Sequence, residues 1–415
     1  MKKITAVVLA AGKGVRMKSA LPKVLHPVCS RPMLLYVLDL VKELKAGDQV
    51  VVLGYGSGQV KEYCSGAKTV VQKKQLGTAD AVKRAMPVIS GSSDTVLVLY
   101  GDAPLLKAET LKKLIRRHRE YKAAATVLTA VMADPSGYGR ILRDSYSAVC
   151  GIREDKDADD FQKTIKEINT GIICFDKKKL RECLALVRAD NRKKEYYLTD
   201  VLGILYKRGE LVESVETGQA KEALGINSRV ELAEANSVMR ARINETHMRN
   251  GVSIIDPATT VISFGVKIGA DTSIYPFTVI EKDVKIGKHC SVGPLCRLRP
   301  GTSLADNVSV GNFIEVSRSS LKAGARAKHF GFLGDARIGE GANIGAGTVT
   351  ANYDGKNKNV TTIGRGAFIG CDSVLVAPVT IGKQARSGAG AVVTRGTRIP
   401  AKATFVGVPA KALRK

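Results

Sequence analysis

Residues 262–316 read ISFGVKIGADTSIYPFTVIEKDVKIGKHCSVGPLCRLRPGTSLADNVSVGNFIEV. Every sixth position in this stretch is aliphatic, and the positions between are mostly Gly, Ser, Asp, Lys and Asn. A period of six with one buried aliphatic side chain per repeat is typical of a parallel β-helix, in which three short faces form one coil around a narrow core. Chance spacing explains the pattern poorly, because every position shares one phase. The aliphatic positions are Ile262, Ile268, Ile274, Ile280, Ile286, Val292, Leu298, Leu304, Val310 and Val316.

The same register returns later in the chain. It reappears at Ile338 and, after a gap, continues from Ile363 to Phe405. We therefore predict two interruptions of the coil, at 317–333 and at the polar segment 350–358. Loops that leave a regular solenoid often carry function, so both segments are candidate functional sites.

Length and composition bound the class of protein. A chain of 415 residues is expected to form two or three domains. Its formal net charge of +26 favours anionic partners, such as nucleotides, phosphorylated metabolites or nucleic acid. We expect no nucleic acid partner, because no nucleic-acid-binding motif is present and the chain has no Trp. Phosphate-bearing small molecules fit better.

Cysteine spacing and hydropathy predict the compartment. The eight Cys residues form no CxxC pair, and the N-terminus lacks an apolar signal segment. We therefore expect reduced thiols in a cytoplasmic protein. No apolar run approaches the roughly 18 residues that a membrane-spanning helix needs, so we expect no membrane insertion.

The N-terminal strand at 4–10 runs directly into the glycine-rich sequence Gly12-Lys13-Gly14. This loop is neither a P-loop nor a complete dinucleotide fingerprint. Small residues let backbone N–H groups approach a phosphate, and Arg16 and Lys23 add positive charge nearby. The alternative is a tight strand-to-helix turn with two solvated cations. The loop by itself leaves both interpretations open.

Apolar strands at 49–53 and 95–100 alternate with amphipathic helices, which predicts a parallel sheet covered by helices on both faces. In such a sheet, ligands bind at the carboxyl ends of the strands. Asp102 lies just past one of these ends, where it either caps a turn or binds Mg²⁺ together with substrate phosphates. The predicted helices span 33–44, 78–86 and 108–119.

These motifs together resemble those of a known family. Leu9-Ala10-Ala11-Gly12-Lys13-Gly14, Leu21-Pro22-Lys23, Gln72, Gln75-Leu76-Gly77-Thr78 and Tyr100-Gly101-Asp102 resemble sugar-1-phosphate nucleotidylyltransferases. Later segments narrow the resemblance to the bacterial bifunctional N-acetylglucosamine-1-phosphate uridylyltransferases/glucosamine-1-phosphate N-acetyltransferases. These segments are 137–141, 154–157, 167–171, 195–200 and 225–227.

The resemblance implies a fold and a domain order. An α/β nucleotide-diphospho-sugar transferase domain of Rossmann-like type would occupy 1–228, and a left-handed parallel β-helix of hexapeptide repeats would occupy 251–415. Apolar positions spaced among charged residues predict an amphipathic linker helix over 229–250. The resemblance also implies a homotrimer with acetyltransferase sites between subunits.

For the first reaction, the resemblance implies that N-acetylglucosamine-1-phosphate attacks the α-phosphorus of UTP and expels pyrophosphate. The protein would align the substrates and stabilise charge. Asp102 and Asn227 would hold Mg²⁺, and Arg16 and Lys23 would be the catalytic cations. The implied substrate-binding residues are Leu9, Ala10, Ala11, Gly12, Gln72, Gln75, Gly77, Thr78, Tyr100 and Gly101 for the nucleotide side and Gly139, Glu154, Asn169 and Asn227 for the sugar side.

For the second reaction, the resemblance implies that His329 is the general base. It would take a proton as the amine of glucosamine-1-phosphate attacks the thioester of acetyl-CoA. Glu315 would orient the imidazole. Cys371 and Ala389 would contact the co-substrate acetyl-CoA. The implied sugar-phosphate site contains Arg299, Phe332, Asn343, Asn352, Tyr353 and Lys358.

Three positions depart from the family pattern. Ser317 stands where the family has a phosphate-binding lysine, Phe332 replaces a tyrosine, and Gly407 replaces an arginine near acetyl-CoA. Arg318 or Arg326 could compensate for the missing lysine. One alternative is therefore a uridylyltransferase whose β-helix is a trimerisation module or acylates another amino sugar. A non-enzymatic polyanion-binding scaffold is a further alternative, and the preferred base also stays open.

Overall fold

The computed structural model describes residues 3–223 and 225–413. The chain folds into two compact units, Met1–Asn236 and Ser237–Lys415, so the boundary falls inside the helix Arg229–Arg249. The domain limits predicted from the sequence stay a prediction. Among the described residues, no helix is both long enough and apolar enough to cross a membrane.

The first unit contains a mixed sheet of nine strands with helices packed against it, and a separate two-stranded sheet formed by its second and third strands. Its strands are β1 (Lys3–Ala10), β2 (Pro27–Val28), β3 (Arg31–Pro32), β4 (Asp48–Leu53), β5 (Lys68–Val71), β6 (Ser93–Tyr100), β7 (Ala125–Val131), β8 (Arg140–Arg143), β9 (Val149–Arg153), β10 (Glu167–Asp176) and β11 (Val212–Glu216). The α-helices are α1 (Met33–Glu43), α2 (Ser57–Lys61), α3 (Thr78–Ala85), α4 (Ala108–Glu120), α5 (Asp160–Thr164), α6 (Lys177–Leu184), α7 (Asp200–Lys207), α8 (Ala220–Ala223) and α9 (Arg229–Arg249). Short 3₁₀ turns span Val15–Met17, Lys23–Leu25 and Met86–Val88.

Strand β1 lies at the centre of this sheet, between β4 and β6 and parallel to both. Its side chains alternate between two cores: Val7 packs in one and Val8 in the other, so both faces are covered. Leu9 is opposite Tyr100 on β6, and the N–H of Gly101 donates to the carbonyl of Leu9 at 3.0 Å. The glycine-rich loop and Asp102 therefore leave the sheet at the same edge.

The sheet is not wholly parallel, which corrects the prediction from the sequence. Strand β10 lies between β6 and β7 and runs antiparallel to both. After β7 the chain forms the antiparallel hairpin β8–β9 and the short helix α5, and then re-enters the sheet as β10. The apolar pattern of a strand carries no information about its direction.

The second unit is a parallel β-helix, as the six-residue period predicts. Its strands, in chain order, are β12 (Ser253–Ile254), β13 (Val261–Ile262), β14 (Lys267–Ile268), β15 (Ser273–Ile274), β16 (Val279–Ile280), β17 (Lys285–Ile286), β18 (Ser291–Val292), β19 (Arg297–Leu298), β20 (Ser303–Leu304), β21 (Ser309–Val310), β22 (Ile314–Ser317), β23 (Ser320–Leu321), β24 (Arg326–Ala327), β25 (Gly331–Gly334), β26 (Ala336–Ile338), β27 (Asn343–Ile344), β28 (Val349–Ala351), β29 (Thr361–Ile363), β30 (Phe368–Ile369), β31 (Val374–Val376), β32 (Val379–Ile381), β33 (Arg386–Ser387), β34 (Val392–Val393), β35 (Arg398–Ile399), β36 (Thr404–Val406) and β37 (Lys411–Ala412).

Strands β12 to β36 form three stacked parallel sheets, which we call faces 1, 2 and 3, and β37 pairs antiparallel with β36 at the end of the chain. Every third strand from β12 to β36 belongs to face 1, from β13 to β34 to face 2, and from β14 to β35 to face 3. On face 2, Ile262 pairs with Ile280, Ile280 with Leu298, and Leu298 with Val316. Each coil in this stretch therefore contains eighteen residues, and these four side chains are fully buried. The hexapeptide prediction is confirmed.

The predicted interruption at 317–333 is wrong. Val316 pairs with Leu333, and Leu304 pairs with Leu321, so the coil continues with seventeen residues instead of eighteen. One residue is missing from the corner between faces 2 and 3, and every strand of the coil is still formed. Ala327 fills the inward position on face 1. Because alanine is smaller than the Ile, Val and Leu of the other repeats, a search for those residues does not detect this repeat.

The polar segment 350–358, in contrast, is a real insertion. Thr350 is buried and pairs with Leu375, twenty-five positions later, so this coil is seven residues longer than the regular one. The extra residues lie between β28 and β29, again at the corner between faces 2 and 3. Between Ile262 and Phe405, this corner is where the described chain departs from steps of six.

The inward and outward positions of a single strand test the stacked core. Leu304 is 2% exposed and belongs to the β-helix core. We expect Leu304→Ala to lower the free energy of unfolding of the second unit by about 2–5 kcal/mol, because it removes buried methyl groups and leaves a cavity. Urea denaturation followed by circular dichroism measures the change. The outward neighbour variant Ser303→Ala should leave the midpoint nearly unchanged, and equal shifts would contradict this account of the core.

Candidate active sites

A cavity of about 460 Å³ opens at the carboxyl ends of β1 and β6. The glycine-rich loop forms one wall, and the segment that leads into α3 forms another. This is the edge of the sheet at which the sequence placed a phosphate-binding site. The predicted residues that line the cavity are Leu9, Ala10, Ala11, Gly12, Lys23, Gln72, Gln75, Gly77, Thr78, Tyr100 and Asp102.

A second cavity of about 290 Å³ adjoins the first. Gly139, Glu154, Asn169 and Asn227, which the sequence analysis placed on the sugar side, all line it. The residues that line both cavities are Lys23, Thr78, Tyr100, Asp102 and Glu195.

Lys23 lies at the junction of the two cavities, between the two predicted metal ligands. Its ammonium forms an ion pair with Asp102 Oδ2 and donates a hydrogen bond to Asn227 Oδ1 at 3.0 Å. The amide of Asn227 is oriented for this role, because its Nδ2 donates to the carbonyl of Gly225 at 2.9 Å. Two oxygen atoms from distant parts of the sequence thus converge on one cation.

The Asp102 carboxylate also has an unused acceptor. The residue is 6% exposed, and among the described residues no donor reaches its Oδ1. A buried carboxylate oxygen without a partner is costly unless a cation or donor binds it. The described residues contain no group of three or more His, Cys, Asp or Glu side chains that could hold a metal. A metal ion here would therefore use few protein ligands and take the rest from substrate, as Mg²⁺ commonly does.

Two predicted residues of the first unit line neither cavity. Arg16 is exposed on the 3₁₀ turn after the glycine-rich loop. Gly101 is packed behind the cavity, since a Cβ there would lie 3.1 Å from the side chain of Leu34 and 3.3 Å from that of Val24. The structure therefore gives Gly101 a packing role, and Arg16 lies outside the lining of both cavities.

The segment around Gly77 holds the cavity wall in a fixed shape. Gly77 has φ of +118°, and a Cβ there would lie 2.4 Å from the carbonyl oxygen of Tyr196, so only glycine fits. On either side, the N–H of Ala79 donates to Tyr196 O at 2.9 Å and Tyr196 N–H donates to Leu76 O at 2.8 Å. Thr78 Oγ1 accepts a hydrogen bond from the N–H of Leu198 at 2.9 Å.

The second cavity is lined by polar groups whose positions are fixed by hydrogen bonds. Thr199 Oγ1 donates to Glu154 Oε1 at 3.0 Å. Burial raises the pKa of the Glu154 carboxyl above its ordinary value. Asn169 N–H donates to the carbonyl of Gly139 at 2.7 Å. Thr199 was missed as a lining residue, although it lies in the motif at 195–200 that carried the resemblance.

On the β-helix, the predicted residues Arg299 and Phe332 belong to alternate coils, with strand β22 of face 2 between them. Arg299 follows β19, Phe332 is on β25, and Glu315 on the intervening β22 is the backbone partner of Phe332. Glu315 Oε1 accepts a hydrogen bond from Arg299 Nη1 at 2.9 Å. Within the described part of one chain, His329 is exposed and has no hydrogen-bond partner. Glu315 thus pairs with Arg299 and not with the imidazole, contrary to the prediction.

His329 lies at the corner between faces 1 and 2. Cys371 and Ala389, the residues predicted to contact acetyl-CoA, are exposed at the same corner, two and three coils further along. The N–H of Gly390 donates to the carbonyl of Cys371 at 2.8 Å, which links these successive turns. Asn343 lies just before this corner, on β27 of face 1.

The corner between faces 2 and 3 carries a polar cluster. Arg318 donates to Asp335 through Nε at 2.7 Å and Nη2 at 2.8 Å, and its Nη1 donates to Ser317 Oγ at 2.9 Å. Asn352 Nδ2 also donates to Asp335. These bonds, the one from Arg318 first, lower the pKa of the Asp335 carboxyl. Of the two arginines considered as substitutes for a lysine at 317, Arg318 lies beside Ser317, whereas Arg326 is on face 1.

The insertion after Thr350 is held to a later coil by one acidic residue. Asp354 accepts hydrogen bonds from the N–H groups of Asn357 and Lys356 and from Arg395 Nη2 at 3.0 Å. The predicted ligands Tyr353 and Lys358 form a backbone bridge across this loop, and both side chains are exposed. The loop is therefore ordered by its own contacts while its predicted binding groups stay accessible.

The two cavities that meet at Lys23 are typical of a nucleotidyltransferase, and the hexapeptide coils are typical of a hexapeptide-repeat transferase. The class of protein is therefore a nucleotidyltransferase joined to a hexapeptide-repeat transferase. Family models agree: a MobA-like NTP transferase domain matches residues 6–168. A bacterial transferase hexapeptide model of six repeats matches 265–300, and the hexapeptide repeat of succinyl-transferase matches 360–395.

Curated relatives identify the family. The bifunctional protein GlmU of Brevibacillus brevis is 45% identical, with 95% of this chain and 93% of the relative covered. The GlmU proteins of Geobacillus sp. and Bacillus subtilis are 44% and 43% identical, covering 95% and 98% of this chain and 93% and 96% of the relatives. The chain belongs to the GlmU family of bifunctional N-acetylglucosamine-1-phosphate uridylyltransferases and glucosamine-1-phosphate N-acetyltransferases. The resemblance stated from the motifs is confirmed.

The position of Lys23 generates a prediction about metal binding without substrate. Its ammonium occupies the space between Asp102 and Asn227. We expect Lys23→Met to tighten binding of Mn²⁺, used as a probe, by about tenfold in the nucleotide-free protein, because a competing positive charge is removed. Electron paramagnetic resonance of free Mn²⁺ measures this affinity. Arg16→Met, which removes an exposed cation outside both cavities, is the matched control, and equal or weaker binding by Lys23→Met would refute the competition.

Proposed function

We propose that this chain makes UDP-N-acetylglucosamine from glucosamine-1-phosphate, acetyl-CoA and UTP, with the two chemical steps on separate units. The observation that carries the uridylyl transfer is the pair of adjoining cavities that share Lys23 and Asp102. A nucleotide in the first cavity and a sugar phosphate in the second would meet at this junction. Alignment of two bound reactants, together with stabilisation of phosphate charge, is how a protein accelerates such a reaction.

In the uridylyl transfer, a phosphate oxygen of N-acetylglucosamine-1-phosphate forms a bond to the α-phosphorus of UTP. The bond from that phosphorus to the bridging oxygen breaks, and pyrophosphate leaves with the electron pair. Lys23 neutralises the phosphate charge at the junction, and Arg16 assists from the exposed turn. Asp102 and Asn227 hold Mg²⁺, which supplies further neutralisation of the phosphates when bound.

The remaining groups of the first unit bind and orient the substrates. Backbone atoms of 9–12 approach the nucleotide, and Gln72, Gln75 and Thr78 recognise the uracil. Gly139, Glu154 and Asn169 hold the acetylated sugar, supported by their fixed hydrogen bonds. Because these groups come from several loops, specificity depends on the fixed geometry of the sheet edge.

For the acetyl transfer we propose His329 as the general base. The amine nitrogen of glucosamine-1-phosphate forms a bond to the acetyl carbonyl carbon, the C–S bond of acetyl-CoA breaks, and the amine proton passes to the imidazole. CoA leaves with the sulfur electron pair. The sugar phosphate is bound by Arg299, Asn343, Asn352, Tyr353 and Lys358 beside Phe332, and acetyl-CoA contacts the corner at Cys371 and Ala389.

This arrangement supports a homotrimer. In one chain His329, Tyr353 and Lys358 are exposed, and His329 lacks a partner among the described residues. A general base needs its imidazole oriented by a neighbouring group. We therefore propose that adjacent subunits complete the site. The cytoplasmic location expected from the cysteine pattern stays a prediction.

Paired product assays separate the two activities in one protein. With Mg²⁺ and all substrates, wild type should release both CoA and pyrophosphate. We expect His329→Ala to lower CoA release by about 10²–10⁴-fold while pyrophosphate release from supplied N-acetylglucosamine-1-phosphate is kept. Asp102→Ala should show the opposite pattern. Thiol and phosphate detection measure the two products.

An exposed histidine on the same β-helix gives the control. His289→Ala should retain both activities. His289 lies at the corner between faces 3 and 1, away from the proposed site. Absence of CoA release by wild type with glucosamine-1-phosphate, but release with another amino sugar, would replace the proposed acceptor. Absence with every amino sugar would reduce the β-helix to a trimerisation module.

A further inference from the structure

Gln72 is buried in the wall of the first cavity, and its amide orientation is fixed by its surroundings. The side chain is 3% exposed and lines the cavity. Its Nε2 donates to the carbonyl oxygen of Gly77 at 3.0 Å and to Asp80 Oδ2 at 2.8 Å. A peptide carbonyl and a carboxylate can only accept hydrogen bonds. Both neighbours therefore require the NH₂ group of Gln72, and the opposite orientation would face oxygen against oxygen.

Both acceptors are themselves held in place. Gly77 is confined by its positive φ and by the backbone of Tyr196. Asp80 lies in the first turn of α3, and its other oxygen, Oδ1, is 3.4 Å from Arg84 Nε. Its side chain is 12% exposed, so the carboxylate is held against Gln72 and shielded from most of the solvent.

The consequence is that Gln72 presents only an acceptor to a ligand. Both Nε2 hydrogens are used, and among the described residues no donor reaches Gln72 Oε1. The Watson–Crick edge of uracil carries a single ring donor, N3–H, between two carbonyl oxygens. An acceptor-only amide can therefore bond to that edge only through N3–H. Cytosine has a lone pair at N3, so the same contact would bring two acceptors together.

We propose that Asp80 is a specificity-positioning residue, which fixes the Gln72 amide so that the first cavity selects a pyrimidine with an N3–H donor over cytosine. This inference rests on the proposed uridylyl transfer, in which Gln72 contacts the base. Asp80 itself does not touch the nucleotide in this account. Thymine also carries N3–H, so Asp80 gives no discrimination between uracil and thymine.

A purely structural role for Asp80 is the competing explanation. An acidic residue in the first turn of a helix interacts favourably with the helix dipole, and the pair with Arg84 adds to this. Those effects stabilise α3 without regard to the base. The hydrogen bond to Gln72 is shorter than the contact with Arg84, which is more than half exposed. Among the described residues, the bond to Gln72 is the side-chain hydrogen bond that connects Asp80 to the lining of the nucleotide cavity.

The test compares kcat/KM for UTP, CTP and dTTP in the full-length enzyme. We expect Asp80→Leu, and Asp80→Ala as a smaller alternative, to lower the UTP/CTP preference by about tenfold, because the freed amide can turn its NH₂ group toward cytosine. The UTP/dTTP ratio should stay at its wild-type value, since both bases offer the same donor. Arg84→Ala, which removes the helix pair and keeps the Gln72 contact, should keep both ratios.

Distinct results separate this inference from the function on which it rests. Gln72→Ala should lose the UTP/CTP preference to a similar extent as Asp80→Leu. Equal losses for UTP and CTP in both Asp80 variants would overturn the positioning role and leave uridylyl transfer intact. An unchanged ratio in Gln72→Ala would overturn it as well, since Gln72 would not read the base. Absence of UTP turnover in wild type would overturn the proposed function itself.

Discussion

The contact of Lys23 with Asp102 and Asn227 is the interaction on which the first unit depends. It joins the 3₁₀ turn Lys23–Leu25, the end of β6 and the segment that precedes α9, which are far apart in sequence. Because both cavities open onto this contact, the position of one ammonium group determines where two ligands can meet. The parallel pairing of β1 with β6 makes the contact possible, since it brings both strand ends to one edge.

The β-helix is organised by a different constraint, the constant length of each face. Inward side chains must stack coil upon coil, so the faces themselves admit little variation. The chain changes its length at the corner between faces 2 and 3, and Ser317, Asp335 and Asn352 occupy that corner on successive coils. The residues proposed for acetyl transfer consequently lie mostly at the two corners that flank face 2, with Phe332 on face 2 and Asn343 on face 1. The stacked core is therefore regular, whereas the corner that carries these polar side chains varies in length.

Sequence alone predicted the parts of the fold that depend on repetition. The six-residue spacing identified the β-helix because each repeat places one aliphatic side chain inward. It failed at Ala327 and Thr350, where a small and a polar residue occupy the same inward positions. The direction of β10 was also beyond reach, because an apolar strand pattern is the same in either direction.

The candidate site shows the same division. The meeting of the glycine-rich loop with Asp102 followed from the carboxyl ends of parallel strands, and the cavities bring together most of the predicted residues. Pairwise contacts between side chains did not follow. Glu315 binds Arg299 and not His329, and Asp80 binds Gln72, because the backbone decides which of several chemically suitable partners comes within reach.

The corner between faces 2 and 3 has a consequence in genetic terms. Inward positions of the β-helix recur every six residues, so deletion of a single codon within a face would turn the next inward side chains toward solvent. A change of length at this corner leaves the six-residue phase of the following strands intact, as the coils of seventeen residues show. Insertions and deletions at this corner can therefore be accommodated while the rest of the β-helix keeps its six-residue phase. The side chains at this corner can therefore change without disturbing the stacked core of the β-helix.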